Sequence, residues 1–178
     1  AVFMVTQVGE PFMVLHAHSN FGLADADAPI IFLLFNATHS AASFPIGILS
    51  DRMSRYHLLA LGFVILIITD LILAYATSIT TLFIGIAVWG LQMGIHQSMF
   101  YALVADNSPD DLRGTAFSIY YLISAISIFF ANFGGGILAQ LHGESMAYFA
   151  SFAFGVLALA LLLFIMPKRR SRSHKSIA

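Results

Sequence analysis

Long uncharged stretches broken by brief polar clusters organise this chain. Pro29 to Ser50 carries no charge and stops at Asp51-Arg52; Leu58 to Ala76 is apolar apart from Asp70; Leu82 to Ala105 stops at Asp106. Gly114 to Leu141 is uncharged, and Ser145 to Pro167 stops at a basic tail. A helix needs about 20 apolar residues to cross the hydrocarbon core, so each run predicts a membrane span. A sixth, Ala1 to Leu15, is interrupted by Gln7 and Glu10. It begins without a methionine or a basic leader and so reads as a helix entered midway rather than a signal peptide, which makes the chain an expected fragment. Backbone polar groups in lipid must be satisfied within their own segment, and runs of this length suit helices rather than the roughly ten-residue alternating strands of an outer-membrane barrel.

The connections are short, 51–57, 77–81, 106–113 and 142–144, with a longer one over 16–28. They leave no room for a soluble domain. The expected organisation is all-α, a polytopic bundle of six transmembrane helices over 1–167 with the first helix cut short, followed by a basic tail over 168–178. Composition agrees: 59% of the 178 residues are hydrophobic and 10% charged, with mean hydropathy +0.87, where a soluble domain has about a quarter charged residues. The surface must therefore face a lipid bilayer. A formal net charge of −1 excludes a nucleic-acid partner, which needs a basic field. The absence of cysteine excludes disulfides, iron–sulfur clusters and thiolate metal sites.

Charge also orients the chain, because Lys and Arg near span ends are retained on the cytoplasmic side. Arg52 and Arg55 follow the second span, Arg113 the fourth, and Lys168, Arg169, Arg170, Arg172 and Lys175 the sixth, so all eight basic residues share one face. The carboxy-terminus is expected in the cytoplasm, with Asp25, Asp27 and Glu144 on the opposite side.

The loop after the second span reads Pro45-Ile46-Gly47-Ile48-Leu49-Ser50-Asp51-Arg52-Met53-Ser54-Arg55. It resembles the G-x-L-[AS]-D-R-x-G-R signature of the major facilitator superfamily of secondary transporters. Gly47, Leu49, Ser50, Asp51, Arg52 and Arg55 match, while Ser54 replaces the second glycine and Tyr56-His57 the basic residues that follow. Ala102-Leu103-Val104-Ala105-Asp106 through Arg113-Gly114-Thr115-Ala116 is similar to that family's junction between helices ten and eleven. The resemblance implies that the chain covers helices seven to twelve, the carboxy-terminal half, and that the amino-terminal half is missing. It implies a small-molecule solute moved by alternating access, ion coupling, two inverted three-helix repeats, and a bacterial-type inner (plasma) membrane. Asp51, Arg52, Arg55, Arg113, Gly47 and Gly114 would then form the gate, locking one access state against the absent half. The alternative is that Arg52 and Arg55 only set topology. At the class level, the alternative is a non-transporting bundle, an inert fragment or an assembly partner.

Other residues carry candidate chemistry. Ser108-Pro109-Asp110-Asp111 has the form of a capping box, predicting a helix start with Ser108 as N-cap. Ionisable groups at membrane depth cost about 2.5 to 3.5 kcal/mol on insertion scales, which makes each a candidate site. Gln7 and Glu10 form an i, i+3 pair and Gln92 and His96 an i, i+4 pair; since helices seven and ten line the cavity in the resembled fold, both pairs are candidate cavity and coupling residues. Glu10 is a proton carrier on that reading, or else a carboxylate reaching to water at the outer end. Asp70 would be a hydrogen-bonded or protonated acid in a peripheral helix. Asn36, His39, Ser40, Tyr121, Ser124 and Asn132 are expected to join helices, and Gly90-x-x-x-Gly94 to permit close backbone approach. His16, His18, Asp25 and Asp27 are metal-ligand types in no fixed geometry, so no metal and no cofactor is expected. No catalytic constellation stands out, and an enzyme is not expected.

Overall fold

The structure, a computed structural model, describes Thr6 and residues 9–165. The described residues form six α-helices, α1 (Gly9–Phe21), α2 (Ala28–Ser50), α3 (Arg55–Ala74), α4 (Ile79–Asp106), α5 (Arg113–His142) and α6 (Ser145–Ile165). One-turn 3-10 segments at Asp25–Asp27 and Asp110–Leu112 precede α2 and α5. The helices α2 to α6 are each long and apolar enough to cross a membrane, with α5 counted from Asp110. These are the five full runs of the sequence. Gln7 and the basic tail lie outside the described residues.

Two expectations need correction. The polar stretch after Leu15 is not a loop: α1 continues through His16, His18, Ser19 and Asn20 to Phe21. Their side chains find partners at the helix end, and Gly22, at φ +66°, stops it with its N–H bonded to the His18 carbonyl, the left-handed cap that glycine adopts without a Cβ penalty. The capping box does not form either. Ser108 Oγ turns back to the Val104 carbonyl at 2.6 Å, and the helix start at Asp110 has no side-chain cap. A serine cap of the expected kind does occur at Ser78, whose Oγ accepts from Thr81 N–H at the start of α4.

The long α4 is the centre of the bundle, and its three faces meet three neighbours. Gly90 and Gly94 face α2: a Cβ on Gly94 would lie 2.7 Å from the His39 carbonyl oxygen, and one on Gly90 would strike Thr38 Oγ1 and stand 2.5 Å from the Phe35 carbonyl oxygen. The backbones touch there because no side chain intervenes. A second face, with Ile95 and Met99, packs on Leu58 and Leu59 of α3. The third face meets α5 through Tyr101, whose ring lies 6.0 Å from Phe117 and 5.9 Å from Tyr120. Trp89, buried with its ring 5.5 Å from Phe35, sits in the main core with Leu66, Leu73, Leu82 and Ile86.

Two helices remain open to the outside. On α2, Leu33, Asn36, Ser40, Phe44 and Gly47 are exposed at three- and four-residue spacing, one face of the helix. On α5, Phe129, Phe130 and Phe133 are 63–65% exposed. Polar side chains at depth mostly bond their own helix instead of joining helices as expected. Asn36 Nδ2 donates to the Phe32 carbonyl at 2.7 Å and Ser124 Oγ to that of Tyr120 at 2.7 Å. In an apolar medium the carbonyl one turn back is the nearest acceptor.

Candidate functional site

At the end that bears the arginines, Asp51 closes α2 and its N–H bonds the carbonyls of Ile48 and Leu49. Arg52 and Met53 N–H both return to the Leu49 carbonyl, at 3.1 and 2.9 Å, and Ser54, in extended conformation, starts α3. The connection is a tight four-residue elbow, 51–54. Asp51 and Arg52 are both exposed, and among the described residues neither forms an ion pair. A Cβ on Gly47, one turn earlier, would meet nothing within 4 Å.

Arg55 behaves differently. Its Nη1 pairs with Asp106 at the end of α4 and donates to the Ala102 carbonyl. The pair is partly exposed, so it contributes about 0.2 to 1 kcal/mol, but it fixes the elbow to α4. Asp106, 51 positions from Arg55 in sequence, reads there only as the end of a span. Arg113 Nη2 meets Asp110 Oδ1 at 2.9 Å, one helical turn away, and its Nε donates to the Ala105 carbonyl at 3.4 Å. Gly114 beside it is exposed, with open space where a Cβ would stand. The six candidate gate residues thus divide: Arg55 and Arg113 bond within this chain, while Gly47, Asp51, Arg52 and Gly114 present themselves outward.

Gln92 and His96 are brought together as the spacing implied, Nε2 to Nδ1 at 2.6 Å, and both are fully buried. His96 points to α3, not to an open surface. His96 lies 4.5 Å from the Phe63 ring centroid, and a Cβ on Gly62 would be 2.8 Å from its Cε1. In this conformation the pair is core. The half-open polar pair of α4 is instead Gln97 and Tyr101, with Gln97 Nε2 donating to Tyr101 Oη at 3.0 Å among the rings of Phe117, Tyr120 and Tyr121. Five residues along a helix turn the side chain by about 140°, so Gln92 and Gln97 look at different neighbours. Glu10 lies within α1, but its side chain is not among those described.

Two further polar groupings lie toward the opposite end. Glu144, before α6, accepts from Ser19 Oγ at 2.6 Å and Asn20 Nδ2 at 3.0 Å, and stands 3.5 Å from His16 Nδ1. His18 Nδ1 bonds the Leu23 carbonyl at 2.9 Å. Asp27 Oδ2 accepts from the Ala24 N–H at 3.2 Å, the Asp25 side chain is not among those described, and among the described residues no cluster fit for a metal forms. Deeper in, Asp70 of α3 is buried, with Ser151 Oγ of α6 2.7 Å from its Oδ2 and 2.9 Å from the Thr6 carbonyl oxygen.

The family model described as Major Facilitator Superfamily matches residues 1–178. An uncharacterized MFS-type transporter of Methanocaldococcus jannaschii is 28% identical over 93% of this chain and 42% of its own length. An uncharacterized transporter of Buchnera aphidicola is 28% identical over 98% of this chain and 45% of its own length. The glucose transporter GlcP of Staphylococcus epidermidis is 31% identical over 54% of this chain and 22% of its own length. The chain thus spans somewhat less than half the length of the first two of these relatives.

Proposed function

Since the chain belongs to the major facilitator superfamily, we propose that it works as one six-helix half of a secondary transporter, moving a small solute by alternating access. The observation that carries this reading is the division at the elbow. Asp51 and Arg52 stand exposed, without an ion partner among the described residues, at the foot of the open α2 face. A turn this short that holds a charge pair outward is suited to a contact made in one state and broken in another. A second six-helix half covers the open faces of α2 and α5 and supplies helix starts, whose positive dipole ends attract a carboxylate such as Asp51.

The solute path on this reading runs between the halves. From this side it is lined by α4, where Gln97 and Tyr101 offer the half-open polar surface and Gln92-His96 stand behind it, and Gln7 and Glu10 are the candidates that the sequence pattern adds. Glu10 is the coupling carboxylate. The relative named for glucose supports a polar solute of sugar size. The Arg52, Arg55 and Arg113 end is cytoplasmic, and the membrane is a plasma membrane of the bacterial type.

Single cysteines in the complete transporter test the arrangement. Those at Arg55 and Arg113 should react with an impermeant thiol reagent only from the cytoplasmic side, and those at Ala24 and His142 only from outside. His142 is chosen over Gly143 because the latter sits at φ +91°, where a side chain is strained. Reaction of the position-113 cysteine from outside would refute the six-span arrangement.

A further inference from the structure

A groove at the end that bears the arginines takes no part in the gate or the solute path. It holds about 440 Å³ between α4 and α5, walled by Phe100, Leu103 and Val104 of the one helix and Ala116, Ile119 and Tyr120 of the other. The rings of Phe100 and Tyr120 lie 6.5 Å apart. Asn107 and Ser108, at the end of α4, complete the lining. Their donors are spent on their own helix: Asn107 Nδ2 donates to the Leu103 carbonyl at 2.8 Å and Ser108 Oγ to the Val104 carbonyl at 2.6 Å. The wall therefore suits an apolar occupant.

The helical period shows which side of the bundle the groove is on. Ala116 and Gly134 are 18 positions apart, five whole turns of α5, and at Gly134 that side of the helix shares a cleft with Ala150 and Phe154 of α6. The groove continues the α6 side of α5, while Phe117 and Tyr121 turn to Tyr101 of the polar pair. Phe100 and Leu103 also pack with Leu162 of α6 on one buried cluster, that of Leu58, Leu59, Ile95 and Met99. The last turn of α6 thus stands beside the groove, yet among the described residues α6 does not line it. From Phe100 to Ser108 the wall runs about 12 Å along α4, close to the roughly 15 Å of hydrocarbon in one leaflet.

Charge at the mouth selects among lipids. After α6 ends at Ile165, the sequence carries Lys168, Arg169, Arg170, Arg172 and Lys175 with no acid to its end. The acids of the same side are Asp51, Asp106, Asp110 and Asp111, and of these Asp106 is paired with Arg55 and Asp110 with Arg113. The excess is positive and lies in the stretch that follows α6. We propose that the groove binds an acyl chain of an anionic phospholipid, whose phosphate is drawn to the basic residues after α6. Lys and Arg clustered directly after a span attract anionic headgroups, and guanidinium groups donate charge-assisted hydrogen bonds to phosphate oxygens. The basic stretch itself does not suit the groove, since unpaired Lys or Arg against an apolar wall is costly to bury. A zwitterionic lipid fits the same wall but gains less from the charge at its mouth.

The test uses the complete transporter in phosphatidylcholine nanodiscs that carry a trace of phosphatidylglycerol or phosphatidylcholine with a photoreactive diazirine in the acyl chain. Mass spectrometry of the crosslinked peptides reads the position of the label. The phosphatidylglycerol probe should label residues 100–104 and 116–120 about tenfold more than the phosphatidylcholine probe. Ala116→Phe fills the groove and should lower that label about tenfold, with the label at the exposed residues 129–133 unchanged. Replacing Lys168, Arg169, Arg170, Arg172 and Lys175 by glutamine should leave the two probes equal. Equal labelling by both probes in the wild type would overturn the proposal, as would a groove label indifferent to Ala116→Phe. Absence of label in the groove from either probe would assign it to protein, either the second half or the chain's own tail, and would overturn the proposal too. Should Ala116→Phe fail to fold, the tail variant decides: a preference for phosphatidylglycerol that survives the loss of all five charges contradicts the assignment.

Discussion

Gly90→Val should cut the folded, membrane-inserted protein by about tenfold or more, since overpacking that cannot relax costs about 1 to 3 kcal/mol and sometimes more. The site leaves little room to yield. A Cβ there strikes Thr38 Oγ1 and approaches the Phe35 carbonyl oxygen at 2.5 Å and the His39 nitrogen at 3.2 Å, and two of these three atoms are backbone in the middle of α2. Thr38 cannot simply swing away, because its hydroxyl is bonded to the Leu34 and Phe35 carbonyls at 2.9 Å each. The two helices would have to separate along their most extensive contact, exposing Trp89 and Ile31 of the main core. Gly114→Ala is the matched control, and with open space at its Cβ it should leave abundance unchanged. Fluorescence-detected size exclusion of the two variants, expressed side by side in the complete transporter, measures the difference. Equal yields would mean that the α2–α4 contact is looser than its geometry indicates.

Asp51→Asn should act the other way, sparing the fold and removing function. Asp51 is exposed and has no ion pair among the described residues, and substitutions of that kind stay within about 0.5 kcal/mol, or roughly twofold in abundance. Its backbone N–H, which closes α2 on the Ile48 and Leu49 carbonyls, is untouched. On the proposed gating role, what is lost is a charged hydrogen bond made in one access state only. Such bonds contribute about 1.5 to 3 kcal/mol, and each 1.4 kcal/mol redistributes two states about tenfold. Solute flux in proteoliposomes should therefore fall by about tenfold or more at near-normal abundance. Arg52→Ala should follow it if the two side chains serve one contact; recovery with Arg52→Lys would assign Arg52 to topology alone.

How far the sequence reaches is instructive at particular residues. Five spans follow from uncharged runs, because the bilayer allows little but a continuous helix over that length. The true end of α1 does not follow. His16, Ser19 and Asn20 look like loop residues until Glu144, more than 120 positions later, is seen to gather them. Distance in sequence likewise hides Asp106 behind Arg55, 51 positions on, and Ser151 behind Asp70, 81 positions on. For α4, periodicity places Gln92 and His96 on one face but does not say which neighbour that face meets. Three faces with three partners are resolved only by packing, and the polar pair whose histidine meets α3 is a different one from the pair near α5. The helix start at Ser108 fails for a local reason: in a dry or half-dry setting its hydroxyl has the Val104 carbonyl at 2.6 Å, and Asp110 is engaged by Arg113.

The central claim, that this half moves between two access states against a second half, is tested most directly on the open face of α2. Leu33 and Ile48 lie near its opposite ends and are 70% and 52% exposed. Single cysteines at these positions in the complete transporter, with and without Asp51→Asn, are labelled with an impermeant thiol reagent, each from its own side of the membrane. Alternating access predicts opposite changes: Asp51→Asn speeds labelling at position 48, where the contact is lost, and slows it at position 33, where the other end closes. Labelling rates that stay unchanged, or that rise together at both positions, would contradict the account.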